Sequence, residues 1–188
     1  MKKKSLNRLL DQIHSVDYAC LLNPNHYTDG FPLKFATGKK AILWNELIIN
    51  DHTNYFGFLA FDLKNEIFDT LVSNNKDYQD FPESTFFKAQ MTLGKDELLN
   101  DLDSRDVEIP KVTFSAIVTK EEYISQVNSI KNHILNGDVY ELNYCISFVA
   151  ENIELNAVDL YKKLNEISPM PFSSLLKLKD CWLICASP

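Results

Sequence analysis

The sequence predicts an α+β fold of mostly antiparallel sheets with flanking helices, and three observations favour this class. Short runs of β-branched and aromatic residues are separated by turns rich in Gly, Pro, Asn and Asp, as is typical of antiparallel strands. Residues 120–136 and 157–167 instead carry apolar side chains at helical spacing. The 188 residues, 45% of them hydrophobic and 24% charged, suffice for one substantial globular domain.

The first half of the chain is predicted to contain short elements joined by turns. An amphipathic helix is expected over Ser5–His14, because its leucines and Ile13 share one side. The predicted strands are Tyr18–Leu22, Leu33–Ala36, Ala41–Ile49, Tyr55–Phe61 and Phe86–Leu93. The predicted helices are Asp62–Leu71 and Asp96–Leu102, with a polar loop over Ser73–Pro82.

The segment Tyr55–Phe61 is a nearly continuous aromatic run. Such a run is typical of a strand that is buried on both faces. Gly57 lies inside it, and a glycine in a strand indicates a bulge or a close approach of another backbone.

An acidic, turn-like stretch, Asp101–Pro110, is the best candidate for a linker. It divides the sequence into predicted domains 1–110 and 111–188.

The second half opens with a strongly specified helix. Thr119 and Glu122 form a capping box, in which each side chain satisfies a free backbone N–H of the other. Apolar residues at i, i+4, i+7 and i+11 predict one buried stripe, and Gly137 ends the helix. The stripe consists of Tyr123, Val127, Ile130 and Ile134.

Further elements follow this helix. Residues Val139–Phe148 are predicted to form a strand because they are β-branched and aromatic. A second helix covers Ala157–Ile167, and two strands are joined at Lys179-Asp180. Asp138 is interpreted as a residue that fixes the turn by a local hydrogen bond rather than as a catalytic acid.

Composition excludes several classes of function. The net charge of −7 argues against a broad nucleic-acid-binding surface. No apolar run approaches the roughly 18 residues of a membrane span, and no signal peptide is evident after Met1-Lys2-Lys3-Lys4. We therefore expect a cytoplasmic protein with no nucleic-acid partner and no membrane association.

The cysteines and histidines show no clear metal-ligand spacing. All four cysteines lie in apolar, strand-like surroundings, where a free thiol acts as a small hydrophobe. Cys181 and Cys185 fit half a metal site as an alternative, but no second Cys or His pair lies nearby. The histidines are interpreted as structural; they are His14, His26, His52 and His133.

Three motifs occur in the order seen in the chorismate-utilising enzymes. Residues 137–145, GDVYELNYC, resemble the signature Gly-Asp-x-Tyr-Gln-Val-Asn-Leu-Ser of that family. Residues 171–176, PFSSLL, are similar to its Pro-Phe-Ser-Ala-Phe-Leu strand, and residues 185–188, CASP, to the start of its Ser-Pro-Glu-x-Phe strand. Glu141 stands where the family has Gln, and Tyr144-Cys145 where it has Leu-Ser. Residues 55–63 are in turn similar to the glycine-containing strand of the aminodeoxychorismate branch.

The resemblance implies a function for a longer polypeptide. The chain is most similar to the N-terminal part of aminodeoxychorismate synthase component I, which makes 4-amino-4-deoxychorismate from chorismate and ammonia for para-aminobenzoate and folate biosynthesis. A glutamine amidotransferase subunit would supply the ammonia, and glutamates would hold Mg²⁺. On this resemblance, 1–110 is the N-terminal region of the two-sheet fold and 111–188 the start of the chorismate-binding domain. The catalytic residues, including a lysine nucleophile, are expected beyond Pro188.

The same resemblance implies a second site for a tryptophan-type ligand. Anthranilate synthase lines this site with a Leu-Leu-Glu-Ser motif and a Pro-Tyr-Met or Pro-Phe-Ser segment. Leu21-Leu22-Asn23 takes the first place here, so that an amide replaces the ligand-binding hydroxyl. Asn23 is interpreted either as part of a vestigial pocket or as a turn cap. The candidate lining residues are Asn23, Gly30, Phe31, Pro32, Pro171, Phe172 and Ser173.

Two alternatives remain open at this point. The first is anthranilate synthase component I, against which the altered Leu-Leu-Glu-Ser motif, the Phe172-Ser173 pair and the early Gly137 count. The second is a non-catalytic interaction module. A continuation with Glu-x-Phe and a later Pro-Ile-Lys-Gly-Thr segment would favour the aminodeoxychorismate branch, whereas Pro-Ile-Ala-Gly-Thr would favour anthranilate synthase.

Overall fold

The computed structural model describes residues 2–47, 53–68 and 81–188. The helices in these ranges are α1 (Leu6–Asp11), α2 (Lys64–Ile67), α3 (Lys120–Asn136) and α4 (Ala157–Ile167). The strands are β1 (Lys4–Ser5), β2 (Tyr18–Asn23), β3 (Lys34–Gly38), β4 (Ala41–Ile42), β5 (Tyr55–Leu59), β6 (Ser84–Lys88), β7 (Met91–Gly94), β8 (Leu98–Leu99), β9 (Ser115–Ala116), β10 (Phe148–Val149), β11 (Ser173–Leu178) and β12 (Cys181–Cys185). Among the described strands only β1 and β8 pair in parallel, which confirms the predicted α+β class.

The central layer is a five-stranded antiparallel sheet in the order β12-β11-β2-β3-β7. Strand β11 lies directly beside β2, with Leu176 opposite Cys20 and Ser173 opposite Asn23. This pairing brings residues near the C-terminus of the chain against residues near its N-terminus. A second sheet, in the order β4-β6-β5, has three strands.

Alternating side chains of the five-stranded sheet enter two apolar clusters. On one face Leu21, Phe35 and Leu175 pack with Leu10 of α1 and Tyr161 of α4. Because side chains in a strand point alternately to the two faces, the neighbouring residues enter the second cluster. That cluster joins Cys20, Ala36 and Leu176 to Phe56 and Phe87 of the three-stranded sheet.

The described residues divide into two compact units, 1–109 with 155–188 and 110–154. The first boundary lies at the predicted linker. The predicted ranges 1–110 and 111–188 differ from this division, since residues 155–188 pack with the first unit. The physical reason is that β11 forms backbone hydrogen bonds with β2, and this pairing places two segments that are far apart in the sequence in the same sheet.

Several predicted elements are confirmed. α1 begins after Ser5, whose side chain accepts a hydrogen bond from the Arg8 backbone N–H at 3.2 Å. α3 has the capping box of Thr119 and Glu122, and Gly137 ends it with a φ of 80°. α4 and the β11–β12 hairpin also lie where the sequence predicts them.

Three predictions in the first half are wrong in part. The strand predicted over Ala41–Ile49 ends at Ile42. A 3₁₀ turn follows, and the Glu46 carboxylate accepts a hydrogen bond from the Leu43 N–H at its start. Residues 48–49 lie outside the described ranges. Phe86–Leu93 is divided into β6 and β7, which belong to different sheets. The helix over Asp96–Leu102 is instead a turn and strand β8, because the buried Leu98 pairs with Lys4.

Two predictions of burial also fail. Strand β5 is mostly half-buried rather than covered on both faces, and Phe61 beyond it is 85% exposed. The close approach at Gly57 is confirmed, since a Cβ there would lie 2.1 Å from the Thr85 carbonyl oxygen. Of the helix predicted over Asp62–Leu71, the described part is a 3₁₀ turn followed by α2; residues 69–80, including most of the predicted loop, lie outside the described ranges.

The unit 110–154 departs most from the predictions. None of its residues is buried, so the predicted stripe of α3 does not form a core in the described chain. Of the predicted strand Val139–Phe148, only Phe148 pairs, as part of β10 with β9. A strand needs a neighbour for its backbone groups, and the described residues supply one only at the end of this segment, at Ser147 and Phe148.

No helix in the described ranges combines the length and apolar character that a membrane crossing requires.

Candidate functional site

The candidate site lies where the end of β2 meets the beginning of β11. Asn23 is the last residue of β2 and is fully buried, and Ser173 opposite it is 1% exposed. Two buried polar side chains at the rim of an apolar cluster require partners, because an unpaired polar group there costs free energy.

The side-chain amide of Asn23 forms hydrogen bonds within its own loop and with a distant segment of the chain. Its Oδ1 accepts from the Asn25 backbone N–H at 3.0 Å and from Nδ2 of Asn100 at 3.1 Å. Its Nδ2 donates to Oδ1 of Asn25 at 3.4 Å. Asn25 has a φ of 55°, a left-handed conformation that asparagine tolerates in tight turns. The prediction of a turn capped by Asn23 is confirmed.

The hydrogen bonds continue from Asn25 into α4. Asn165 donates from Nδ2 to Oδ1 of Asn25 at 2.8 Å and accepts from the Ser173 hydroxyl at 2.8 Å. The Ser173 hydroxyl also lies 3.0 Å from the Tyr161 hydroxyl. Burial raises the pKa of Tyr161 above its usual value, although hydrogen bonds with Ser173 and Asn23 partly offset this effect. We call Asn23, Asn25, Asn100, Tyr161, Asn165 and Ser173 the amide cluster.

Backbone contacts bring a second chain segment to the same place. The Phe31 N–H donates to the Pro171 carbonyl oxygen at 3.0 Å. A Cβ on Gly30 would lie 2.1 Å from that oxygen, so no side chain fits between the two backbones. The rings of Phe31 and Phe172 meet edge to face, with centroids 5.1 Å apart.

The structure therefore brings together six of the seven residues proposed for the tryptophan-type pocket, while Pro32 is exposed. In this arrangement the amides and hydroxyls of Asn23 and Ser173 pair with other side chains of the chain itself. Four members of the amide cluster are not among the site residues predicted from the sequence: Asn25, Asn100, Tyr161 and Asn165. The Asn-Pro-Asn turn was a signal for Asn25, but no local pattern connects Asn100 with a position 77 residues earlier.

The other candidate residues have structural surroundings. His14 packs near Trp182, and His26 stacks on Tyr27 with centroids 4.2 Å apart. His133 Nδ1 lies 2.7 Å from Oδ2 of Asp138, a local contact of the kind predicted for Asp138. His52 lies outside the described ranges.

Among the cysteines, Cys20 is buried, and desolvation together with the nearby Cys185 raises its pKa to about 12. Cys181 and Cys185 are half-buried. Cys145 is exposed, so its predicted apolar surroundings are wrong.

Within 2–47, 53–68 and 81–188, no three His, Cys, Asp or Glu side chains are close enough together to hold a metal ion. The resemblance implies Mg²⁺-binding glutamates that lie outside these 188 residues, and we derive no catalytic step through a metal.

Comparison with known proteins gives the family. A model of chorismate binding enzymes matches residues 13–188, nearly the whole chain. The chain belongs to the chorismate-binding enzyme family. This confirms the resemblance carried by residues 137–145, 171–176 and 185–188.

Individual relatives of this family match over shorter stretches. Aminodeoxychorismate synthase component 1 of Bacillus subtilis is 32% identical over 76 residues, which cover 40% of this chain and 16% of that protein. An anthranilate synthase component I-like protein of Synechocystis is 29% identical over 90 residues, 47% of this chain and 17% of the relative. A probable anthranilate synthase component 1 of Schizosaccharomyces pombe is 22% identical over 183 residues, 92% of this chain and 34% of the relative. The chain thus matches only a sixth to a third of the length of these relatives.

Proposed function

We propose that these 188 residues form the N-terminal part of an aminodeoxychorismate synthase component I. The complete polypeptide would replace the C4 hydroxyl of chorismate with ammonia and give 4-amino-4-deoxychorismate, a precursor of para-aminobenzoate and folate. The observation that carries this choice within the family is the 32% identity to the Bacillus subtilis protein of that name.

In this proposal the described residues contribute the framework of the enzyme rather than its chemistry. β2 pairs with β11, and hydrogen bonds of the amide cluster connect α4 to β11 and to the loop after β2. The catalytic groups and the Mg²⁺ ligands would lie in a further part of the complete polypeptide. The Bacillus subtilis relative is much longer than the stretch that matches, which covers 16% of its length. A glutamine amidotransferase subunit would supply ammonia in the cytoplasm, and we propose no nucleic-acid or membrane partner.

Product analysis of the complete polypeptide tests the proposal. It is incubated with chorismate, ammonium and Mg²⁺, and the products are separated by chromatography. We expect 4-amino-4-deoxychorismate, and an added lyase of that pathway should convert it to para-aminobenzoate. An absence of any chorismate-derived product under these conditions would contradict the proposal.

Anthranilate synthase component I is the second candidate. The match that covers 92% of this chain is to a probable anthranilate synthase component 1, although its identity is only 22%. The same chromatogram separates the two candidates, because anthranilate is fluorescent and needs no further enzyme to appear. Anthranilate as the main product would replace the first proposal with the second.

A further inference from the structure

A cavity of about 320 Å³ lies next to the amide cluster, between the N-terminal segment, the loop after β2 and the turn before β8. It contains none of the seven residues proposed for the tryptophan-type pocket. Its wall shares only Asn25 and Asn100 with the amide cluster. The volume is at the lower end of the range for small-molecule sites, which is about 300–1,000 Å³.

The rim of this cavity is positively charged, in contrast to the chain as a whole. Lys3 and Lys95 both line it, and no aspartate or glutamate of the described ranges does. The Lys3 ammonium donates to the Lys95 carbonyl oxygen at 3.1 Å, so its position is held by backbone. In a protein with a net charge of −7, a cationic concavity attracts an anion that the rest of the surface repels.

Other parts of the lining are apolar or aromatic. Leu33 and Leu98 are both buried, 8% and 2% exposed, and they line the cavity from the core of the protein. The stacked rings of His26 and Tyr27 form another part of the wall, and Tyr27 is 37% exposed. A flat apolar group placed there would cover Leu99, which is 50% exposed and also lines the cavity, and the two rings.

The wall is also held in place before any ligand binds. Asn100 donates to Asn23, and Asn25 is fixed by Asn23, Asn165 and the Met170 carbonyl oxygen. A cavity whose walls are already ordered loses little conformational entropy on binding.

We propose that this cavity binds a small organic anion with a flat apolar body and a single carboxylate. The apolar body would lie on Leu99 and the ring of Tyr27, and the carboxylate would face Lys3 and Lys95. This inference goes beyond the proposed function, and the cavity shares only Asn25 and Asn100 with the amide cluster of the framework.

The probe for the test is 2-naphthoate, with the neutral 2-naphthamide as its uncharged counterpart. Titration of the 188-residue chain is followed by isothermal calorimetry and by NMR amide shifts. We expect a Kd below about 1 mM for 2-naphthoate. The shifts should concentrate at Lys3, in the loop 24–28 and in the turn 95–100. Lys3→Gln with Lys95→Gln should weaken 2-naphthoate about tenfold and leave 2-naphthamide unchanged.

The matched control makes the same charge change elsewhere. Lys120→Gln with Lys131→Gln removes two positive charges from α3, and binding of 2-naphthoate should stay as in the parent chain. His26→Ala, which removes one stacked ring, should weaken both probes. The proposal is overturned if 2-naphthoate does not bind, if both double variants weaken it equally, or if the shifts lie in residues 110–154.

Discussion

Asn23 and Gly30 illustrate how single residues shape the end of the central sheet. Both were proposed from the sequence as ligand contacts. In the structure Asn23 has partners on both sides of its amide, and Gly30 lets two backbones touch. Their contacts are internal to the protein, so changes at these positions should affect its stability before they affect any ligand.

Gly30→Ala should destabilise the chain by about 1–3 kcal/mol, because the new methyl group would meet the Pro171 carbonyl oxygen and backbone cannot move aside as a flexible side chain does. Urea denaturation measures the difference. Gly94→Ala is the matched control, since nothing lies within 4 Å of a Cβ at that position. Equal losses of stability in the two variants would show that the contact at Gly30 is not the cause.

The complete enzyme should be insensitive to tryptophan at physiological levels. The amide of Asn23 stands where the family has a ligand-binding hydroxyl, and it is already paired with Asn25 and Asn100. A ligand would have to break these hydrogen bonds, and a site with one wrong polar partner rejects its ligand strongly.

Calorimetric titration with tryptophan tests this expectation, and micromolar binding would contradict it. Asn23→Ser alone should not restore tight binding, since Phe31 and Phe172 would still shape the wall. It is compared with the parent protein in the same titration.

At the scale of elements, α3 shows that the formation of a helix and the burial of its apolar face have different causes. Its capping box and its terminal glycine are local features, so the predicted bounds are correct. None of its stripe residues is buried: Tyr123, whose ring centroid lies 5.4 Å from that of Tyr144, is 38% exposed, and Ile134 is 37% exposed. Burial depends on what packs against a helix, which the helix sequence does not contain.

Ile130 is half-buried, so in the 188-residue chain Ile130→Ala should reduce the free energy of unfolding by about 1 kcal/mol. A core position would instead cost about 2–5 kcal/mol. Lys131→Ala is the control on the exposed side of the same helix. A much larger cost at Ile130 than at Lys131, measured by urea denaturation, would show that the stripe is covered.

For the whole molecule, we expect the described residues to form a framework and the catalytic centre to lie elsewhere in the complete polypeptide. The 188-residue chain by itself should convert no chorismate, even with ammonia and Mg²⁺ in excess. The physical reason is that its described side chains form no carboxylate cluster for a metal. Chromatography of the reaction mixture is the measurement, and detectable 4-amino-4-deoxychorismate or anthranilate from the purified chain would place the active site within it.

Lowering the pH should destabilise the first unit, because protonation of the Glu166 carboxylate weakens its hydrogen bonds. Hydrogen bonds from the Lys163 ammonium at 2.8 Å and the Ser104 hydroxyl at 2.5 Å hold the pKa of this carboxyl below its usual value. A pKa that is lower in the folded than in the unfolded state adds stability above the unfolded value of about 4.5, and this stability is lost as the pH falls.

Urea midpoints at neutral and acidic pH measure this effect. Glu166→Gln should have a smaller loss of stability on acidification than the parent chain. Glu108→Gln makes the same charge change at an exposed position and serves as the control. An unchanged pH dependence in Glu166→Gln would show that another group is responsible.

The sequence by itself determined the features that depend on neighbours along the chain. These are the α+β class, the presence of a helix at α1, the caps of α3, the bounds of α4, the β11–β12 hairpin and the motifs that carry family membership. Each rests on local hydrogen bonds, on side-chain periodicity or on a contiguous motif. Only the tertiary structure decided which segments meet. It placed β11 beside β2, made the Asp96–Leu102 segment pair with Lys4 as a strand, and joined Asn100 to Asn23. These contacts form between residues that are far apart in the chain. Bringing such residues together costs chain entropy, and only the packing of the complete layer offsets that cost.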